Sequence, residues 1–284
     1  MSARLPVVGS TAATTAFCSD RLDGPNGTHL FLDGNGKITA GNGTLAAPKP
    51  NALSLLQISD CPGSTPACQR ACYVHNLATA QPDLHALYAH NSAELRRILA
   101  DRELADAWVI VLADWIRQNA YEGFRWHVSG DVFSNEYAEF IADVCRESPD
   151  VAHWIYTRSY QFLAPLAEVC TLRGGNLALN LSCDRDNYAI MRSVADVYGI
   201  DWGDGTRERL RLCYLSVDGK VPDDLLPDDV IFPDYALRPR QFKTLAESPW
   251  WQTLEPEQRG LVCPVDAHGK AENRRCGPCN RCMT

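Results

Sequence analysis

The sequence lacks long hydrophobic runs, and no stretch of it approaches the length needed to cross a bilayer. The apolar stretch nearest the beginning, residues 5–8, is too short for the core of a secretory signal. We therefore expect a protein of the cytoplasm, which is a reducing compartment, and no membrane partner.

Basic residues are also scarce, because 27 Lys and Arg stand against 35 Asp and Glu and give a formal net charge of −8. Sequence-independent binding of nucleic acid needs a dense basic face. We expect no broad nucleic-acid-binding face here. The 284 residues are enough for one large α/β domain or two smaller ones.

Cysteine, by contrast, is abundant: there are 12 in the chain, and seven of them fall into two groups. The first group is Cys61, Cys68 and Cys72, and the second is Cys263, Cys276, Cys279 and Cys282. Closely spaced cysteines in Gly- and Pro-rich loops of a reducing compartment are typical of metal or iron–sulfur ligands rather than of disulfides.

The rest of the chain predicts an α/β protein in three parts. Residues 1–50 are rich in Asn-Gly and Gly pairs, which indicate a β-hairpin region. In residues 51–248, apolar strands alternate with helical periods, which predicts parallel strands. Residues 249–284 form a C-terminal cysteine-rich metal-binding extension.

The strands are expected near residues 53–59, 124–128, 151–157, 176–182, 211–216 and 230–232, and Ser134 is expected to cap the helix that follows the second of them. About six parallel strands favour a partial or full β/α (TIM-like) barrel, with a doubly wound sheet as the alternative. Ligands bind at the carboxyl ends of the strands in both architectures. Polar residues follow several of these strands, among them Ser129, Asp131, Arg158, Asn180 and Ser182.

The first cysteine group has three thiols, which suffice for three irons of a [4Fe–4S] cluster and leave the fourth iron open to an external ligand. This arrangement resembles that of radical SAM enzymes, although six and then three residues separate the cysteines here, instead of three and then two. Tyr73 adjoins the last cysteine, as an aromatic residue does in that superfamily. Ser129-Gly130-Asp131 resembles the element that holds the amino group of S-adenosylmethionine (SAM) there.

A closer resemblance is to the phage-associated gene product 88 family, and it extends roughly from residue 53 to the end. The motifs that carry it are Cys61-Pro62-Gly63, Cys72-Tyr73, Ser129-Gly130-Asp131, Tyr156-Thr157-Arg158-Ser159, Cys263-Pro264 and the three cysteines from 276 to 282. The resemblance implies a fold and cofactors rather than a defined reaction. A phage setting implies the host cytoplasm and a nucleotide or modified base as substrate.

Taken together, the resemblances imply a radical SAM enzyme that uses an external reductant. The first cysteine group would hold the catalytic cluster, and the predicted SAM-binding residues are Tyr73, Ser129, Gly130, Asp131, Arg158, Asn180 and Ser182. Asp131 and Arg158 are the predicted catalytic residues, since Arg158 can hold a carboxylate through two hydrogen bonds.

Several alternatives remain open at this point. His75 is placed to complete a Cys3His zinc site with the first group, and the second group suits either a second [4Fe–4S] cluster or zinc. The protein would then be a zinc-stabilised, non-catalytic binding protein, or an iron–sulfur electron carrier or sensor. Cys213 lies inside a predicted strand, and we expect it to be a core residue.

Overall fold

The computed structural model describes residues 17–35, 49–75, 81–201, 203, 207–234, 237, 244–268, 279 and 281–283. Within these residues no helix is both long and apolar enough to span a membrane. The strands are β1 (Phe17–Asp23), β2 (His29–Asn35), β3 (Ala52–Leu53), β4 (Phe124–Trp126), β5 (His153–Thr157), β6 (Leu177–Cys183), β7 (Ile200–Asp201), β8 (Arg207–Glu208), β9 (Arg211–Ser216) and β10 (Val230–Pro233). The protein is therefore of the α/β class, as predicted.

Eight of these strands form one sheet in the order β1-β2-β3-β4-β5-β6-β9-β10. Six strands of this sheet pair in parallel and keep their order along the chain: β3, β4, β5, β6, β9 and β10. A doubly wound sheet reverses its strand order at a switch point, and this sheet has no such reversal in the described residues. The sheet is open, with β1 and β10 at its edges, so a closed barrel is not observed.

The predicted N-terminal hairpin is confirmed by the antiparallel pair β1 and β2. β2 also pairs with β3, so the hairpin extends the main sheet instead of standing apart from it. The helices are α1 (Pro66–Arg70), α2 (Pro82–Leu99), α3 (Arg102–Asn119), α4 (Asn135–Glu147), α5 (Leu163–Glu168), α6 (Tyr188–Val197), α7 (Pro249–Thr253), α8 (Pro256–Leu261) and α9 (Pro264–His268). The predicted cap is also confirmed, since the Ser134 side chain accepts a hydrogen bond from the Tyr137 backbone.

The two faces of the sheet are covered differently. On the helical face, α2 to α6 pack on alternate strand residues to form the largest apolar core, which includes Trp108, Trp126 and Ile155. The second face carries the intervening residues, among them Trp154 and Ala178, and Met283 packs on them. The C-terminal segment thus lies against the face that the helices leave uncovered.

Two of the predicted strands end earlier than expected. β3 ends at Leu53 instead of residue 59, because residues 57–60 form turns in which Ile58 has a φ of 67°. β4 ends at Trp126 instead of residue 128, because His127 has a φ of 66°. Such left-handed backbone conformations are incompatible with a strand. The prediction from hydrophobic content alone therefore includes residues that belong to the loops of the candidate site.

Candidate functional site

The first cysteine group lies on the loop that leaves β3 at the carboxyl edge of the parallel sheet. The backbone of Cys61 donates to the carbonyl of Ile58 at 3.1 Å, and that of Ser64 donates to the carbonyl of Cys61 at 2.9 Å. These two turns reverse the chain immediately after the strand. They place Cys61 beside the loops that follow the neighbouring strands.

The short helix α1 positions the other two thiols. The Thr65 hydroxyl caps it by accepting from the Cys68 backbone at 3.0 Å, and the same hydroxyl donates to Asp184 at 2.5 Å. Cys72 follows the end of this helix, four residues after Cys68. Asp184 follows β6, so one hydrogen bond ties the cysteine loop to a strand end further along the sheet.

Gly63 brings the same loop against the end of β5. A Cβ atom added at Gly63 would lie 2.1 Å from the Arg158 carbonyl oxygen and 2.9 Å from the Ser159 nitrogen. No side chain fits at that distance, so the close approach requires glycine. The Cys-Pro-Gly motif therefore has a structural cause: its glycine lets the loop touch the backbone of the neighbouring strand end.

The three thiols are near enough to influence one another's ionisation. Burial is the largest cause that raises the pKa of Cys61, and the charges of Asp131, Cys68 and Cys72 raise it further. Burial also raises the pKa of Cys68, and the Arg158 guanidinium opposes that shift. All three thiols are half-buried and none forms a disulfide.

In the described part of the chain, no three His, Cys, Asp or Glu side chains are arranged in metal-binding geometry. Metal binding by the described cysteines would therefore require their thiols to move closer together. His75, the predicted alternative ligand, is exposed on the turn after Cys72. The donor set of three grouped thiols on one loop still fits a thiophilic metal or an iron–sulfur cluster.

Ser129-Gly130-Asp131 lies beside this loop, as predicted, and both oxygens of its carboxylate accept backbone hydrogen bonds. One Asp131 oxygen accepts from the Val132 backbone at 2.7 Å and the other from the Arg158 backbone at 2.8 Å. Burial raises the pKa of Asp131, and these hydrogen bonds oppose the rise. Asp131 thus connects the end of β4 with the end of β5. Gly130, with a φ of 83°, lies where a Cβ would meet Leu55 at 2.6 Å.

Arg158 also has an internal partner. Its guanidinium donates to Asp184 at 2.7 Å, and the side chains of the pair are only 7% and 0% exposed. Asp184 was not predicted from the sequence, although its position directly after β6 is the kind of strand-end signal that identified Arg158. The same carboxylate binds Thr65, so it links the cysteine loop, the end of β5 and the end of β6.

The buried polar atoms around the loop that have no hydrogen-bond partner include Gln57 Oε1, Asp60 Oδ2 and Ser129 Oγ. Gln57 and Asp60 lie on the turn that leads to Cys61, and the carbonyl of Asp60 accepts from the Asp131 backbone at 2.8 Å. Buried polar atoms normally find partners, and those that do not call for an explanation such as a ligand. These three atoms are candidates for binding a small polar molecule at the cysteine loop.

The remaining predicted SAM-binding residues lie in different surroundings. The Tyr73 hydroxyl donates to the Val128 carbonyl at 2.8 Å, so Tyr73 packs beside the end of β4, near Ser129. Asn180 is in the middle of β6 rather than at its end, and its amide donates to the Cys282 carbonyl at 3.1 Å. Ser182 shares that face of β6, in register with Cys213. The structure thus groups Asn180 and Ser182 with the C-terminal cysteines.

The second cysteine group is only partly described, because Cys276 lies outside the described residues. Cys263 follows β10 and donates its backbone N–H to Ile231 at 3.0 Å, while Cys279 and Cys282 lie in the short C-terminal stretches. Cys263 and Cys282 pack together with Cys213 of β9 on the second face of the sheet. The prediction that Cys213 is buried is confirmed, and the side chains grouped with it are Cys263, Cys282, Val230, Tyr156 and Phe232.

An open cavity of about 640 Å³ lies elsewhere, lined by Arg117, Tyr121, Asp150 and Met283 among others. The loops that form it precede β4 and β5. It is therefore at the amino ends of these strands, whereas the first cysteine group is at the carboxyl ends.

The motifs that define this site also identify the family. Residues 29–284 match the gene product 88 family, which covers all of the main sheet from β2 onward and both cysteine groups. The chain belongs to the gene product 88 family. The Gene 88 protein of Mycobacterium phage L5 is 31% identical over 178 residues, which are 60% of this chain and 69% of the relative. The Gene 88 protein of Mycobacterium phage D29 is 31% identical over 174 residues, 59% of this chain and 67% of the relative. No solved structure matches this gene product 88 chain.

Proposed function

We propose that this protein is an iron–sulfur enzyme of radical SAM type, with a [4Fe–4S] cluster held by Cys61, Cys68 and Cys72. The observation that supports this most directly is the position of the three thiols: one loop at the carboxyl edge of the sheet carries all of them. The unreversed order of six parallel strands also supports it, because a partial β/α barrel has that order. In this proposal the open sheet is such a partial barrel.

The chemistry would come from the cofactors, while the chain positions them. Cys61, Cys68 and Cys72 would hold the cluster, and the chemistry it would supply is the one-electron reductive cleavage of SAM to methionine and a 5′-deoxyadenosyl radical for hydrogen abstraction from the substrate, with the electron coming from an external reductant. Ser129 and Gln57 offer unpartnered polar atoms to the amino or carboxylate group of SAM. Tyr73, half-exposed beside Cys72, would border the same ligand.

Asp131 and Arg158 act in this proposal as positioning residues. Both Asp131 oxygens accept backbone hydrogen bonds, so the carboxylate fixes the loop rather than binding an ammonium group directly. The Arg158 guanidinium lies near Cys68 and opposes the rise in the pKa of that thiol, and its pairing with Asp184 fixes the end of β5 beside the cysteine loop. Asn180 and Ser182 would border the second metal site, which is either another [4Fe–4S] cluster or zinc.

The substrate class follows from the family setting. The relatives are encoded by phages, and a phage enzyme acting in the host cytoplasm has nucleotides or modified bases at hand. We therefore include a nucleotide or a modified base as the substrate in the proposal. The formal charge of −8 supports a small molecule over a long nucleic acid.

The test is anaerobic reconstitution of the full chain with iron and sulfide, followed by dithionite and SAM. We expect iron and acid-labile sulfide in the protein and release of 5′-deoxyadenosine. Cys72→Ala should abolish this release. Cys170→Ala is the matched control, since Cys170 is a buried thiol of the helical core whose Sγ donates to Ala167, and it should retain the release.

Other results would select the alternatives. Zinc without acid-labile sulfide would replace the proposal with a zinc-stabilised binding protein. A cluster that forms and binds no SAM would identify an electron carrier or sensor. Continued turnover by Cys72→Ala would contradict the assignment of the ligands.

A further inference from the structure

We infer that Cys213 is a metal ligand of the C-terminal site, where it lies with Cys263 and Cys282. The inference rests on the proposed function only in taking the C-terminal cysteines as metal ligands. It adds a residue that is far from the others in the sequence. The metal would be zinc or an iron–sulfur cluster, both of which take four thiolates.

The first argument is position. Cys213 and Cys263 are 1% and 6% exposed and lie with Val230 in one small cluster on the second face of the sheet, and Cys282, Tyr156 and Phe232 pack against this cluster. Cys213 comes from β9, Cys263 from the chain after β10, and Cys282 from the C-terminal segment. Three separate segments thus deliver one thiol each to a single place, which packing of apolar side chains does not require.

The second argument is the rigidity of two of the three thiols. Cys213 is fixed by strand pairing, with Ser182 on one side and Val230 on the other. Cys263 is fixed because its backbone N–H donates to Ile231 at 3.0 Å. Cys282 lies in a turn, and metal binding would require its thiol to come closer to the other two.

The third argument is the polar setting of the cluster. Asn180 lies beside it: its Oδ1 accepts from Arg211 at 3.2 Å and from the Cys213 thiol at 3.9 Å, and its amide donates to the Cys282 carbonyl. Hydrogen bonds from outer residues that hold the ligands in place are typical of metal sites. The Asn180 amide thus holds the backbone of Cys282 beside Cys213, and the hydrogen bond of the Cys213 thiol would be given up when Cys213 binds metal as a thiolate.

The physical consequence is a cross-link between the sheet and the C-terminal segment. Met283, next to Cys282, packs on Trp154 and Ala178 of the second face. Metal bound through Cys213 would hold this segment over the interior of the open sheet. Because metal-binding free energy adds to folding free energy, the metal would also stabilise the fold.

The experiment uses the full chain in which Cys61, Cys68 and Cys72 are replaced by Ala, so that only the second site can bind Zn²⁺. Zinc affinity and stoichiometry are measured by competition with a chromophoric chelator. Loss of an outer partner alone typically weakens metal binding 10- to 100-fold. We therefore expect Cys213→Ala to weaken it by at least about 100-fold, and the control Cys170→Ala to leave it unchanged.

A Cys213→Ala protein that binds zinc with the parental affinity and stoichiometry would overturn the inference. Circular dichroism of the chelator-treated proteins shows whether the variant still folds, and Cys213→Val, which keeps the apolar volume, replaces it if it does not. Single replacements of Cys276 and Cys279 complete the test, and we expect one of these two variants to retain tight zinc binding. Loss of binding in both variants would mean that the four ligands are Cys263, Cys276, Cys279 and Cys282, without Cys213. A failure of SAM cleavage would leave these zinc measurements unaffected, so the two proposals fail separately.

Discussion

Asp33 provides the sharpest test of how this fold treats a buried charge. It is on β2, fully buried, and one carboxylate oxygen accepts from Ser54 at 3.0 Å and from Tyr88 at 3.2 Å. The other oxygen has no partner. We predict that Asp33→Asn removes a pH-dependent loss of stability, because an amide keeps the accepting oxygen and never carries a charge.

The size and sign of the effect follow from the pKa. Burial is the main cause that raises the pKa of Asp33 from 3.8 to about 7. The folded state therefore favours the protonated form, and its stability falls as the pH rises from about 4 to about 7. One pKa unit corresponds to about 1.4 kcal/mol, so full ionisation costs the folded protein about 4 kcal/mol. Between pH 5 and pH 8 the cost grows by about 2 to 3 kcal/mol.

The assay is urea unfolding of both proteins at pH 5, 6, 7 and 8. The free energy of unfolding of Asp33→Asn, minus that of the parent, should increase by about 2 to 3 kcal/mol across this range. Burial lowers the pKa of His127 and of His153 to about 3. Both proteins therefore lose stability in acid through these two residues, and this loss cancels in the difference between them. A difference that does not change with pH would refute the reasoning, because it would show that Asp33 has the same pKa in the folded and unfolded chains.

Two further predictions concern the cysteine loop. Gly63→Ala should displace the loop from the end of β5 and lower the cluster content on reconstitution, whereas Gly260→Ala, with open space around its Cβ, should leave it unchanged; equal iron content in the two variants would contradict the close approach. Asp184→Asn should lower the free energy of unfolding by about 3 to 5 kcal/mol, because it leaves the Arg158 charge buried without a partner. In urea titrations, the double variant Asp184→Asn with Arg158→Met should lose less free energy of unfolding than the sum of the losses of the two single variants. Additive losses would show that the two side chains do not interact.

The sequence was informative about the fold because each strand is a local pattern. Strands near residues 153, 177, 211 and 230, the N-terminal hairpin and the cap at Ser134 were all predicted from neighbouring residues, and all are present. Closure of the sheet depends instead on contacts between its first and last strands. No local pattern indicates such contacts, so the sequence could not decide whether the sheet closes into a full barrel.

The candidate site was predictable to the level of segments but not of contacts. The loops that carry Cys61, Ser129 and Arg158 do meet at the carboxyl edge of the sheet, as parallel strands require. The sequence did not show that Asp131 accepts two backbone hydrogen bonds, because that depends on where the end of β5 lies. Asn180 was predicted to lie at the end of its strand, whereas it is a mid-strand residue. Its partners come from distant segments, which no local pattern indicates.

The internal use of Asp131 and Arg158 changes how the site should be understood. A residue that binds a ligand must keep hydrogen-bonding capacity free, yet both oxygens of Asp131 are already occupied and the Arg158 charge is already balanced by Asp184. The free capacity lies on the residues beside them, at Ser129 and Gln57. Replacement of Asp131 should therefore reduce SAM binding by disordering the loop and lower the stability as well, whereas Ser129→Ala should reduce SAM binding with the stability unchanged. Measuring both quantities for both variants separates a ligand-binding residue from one that only supports the loop.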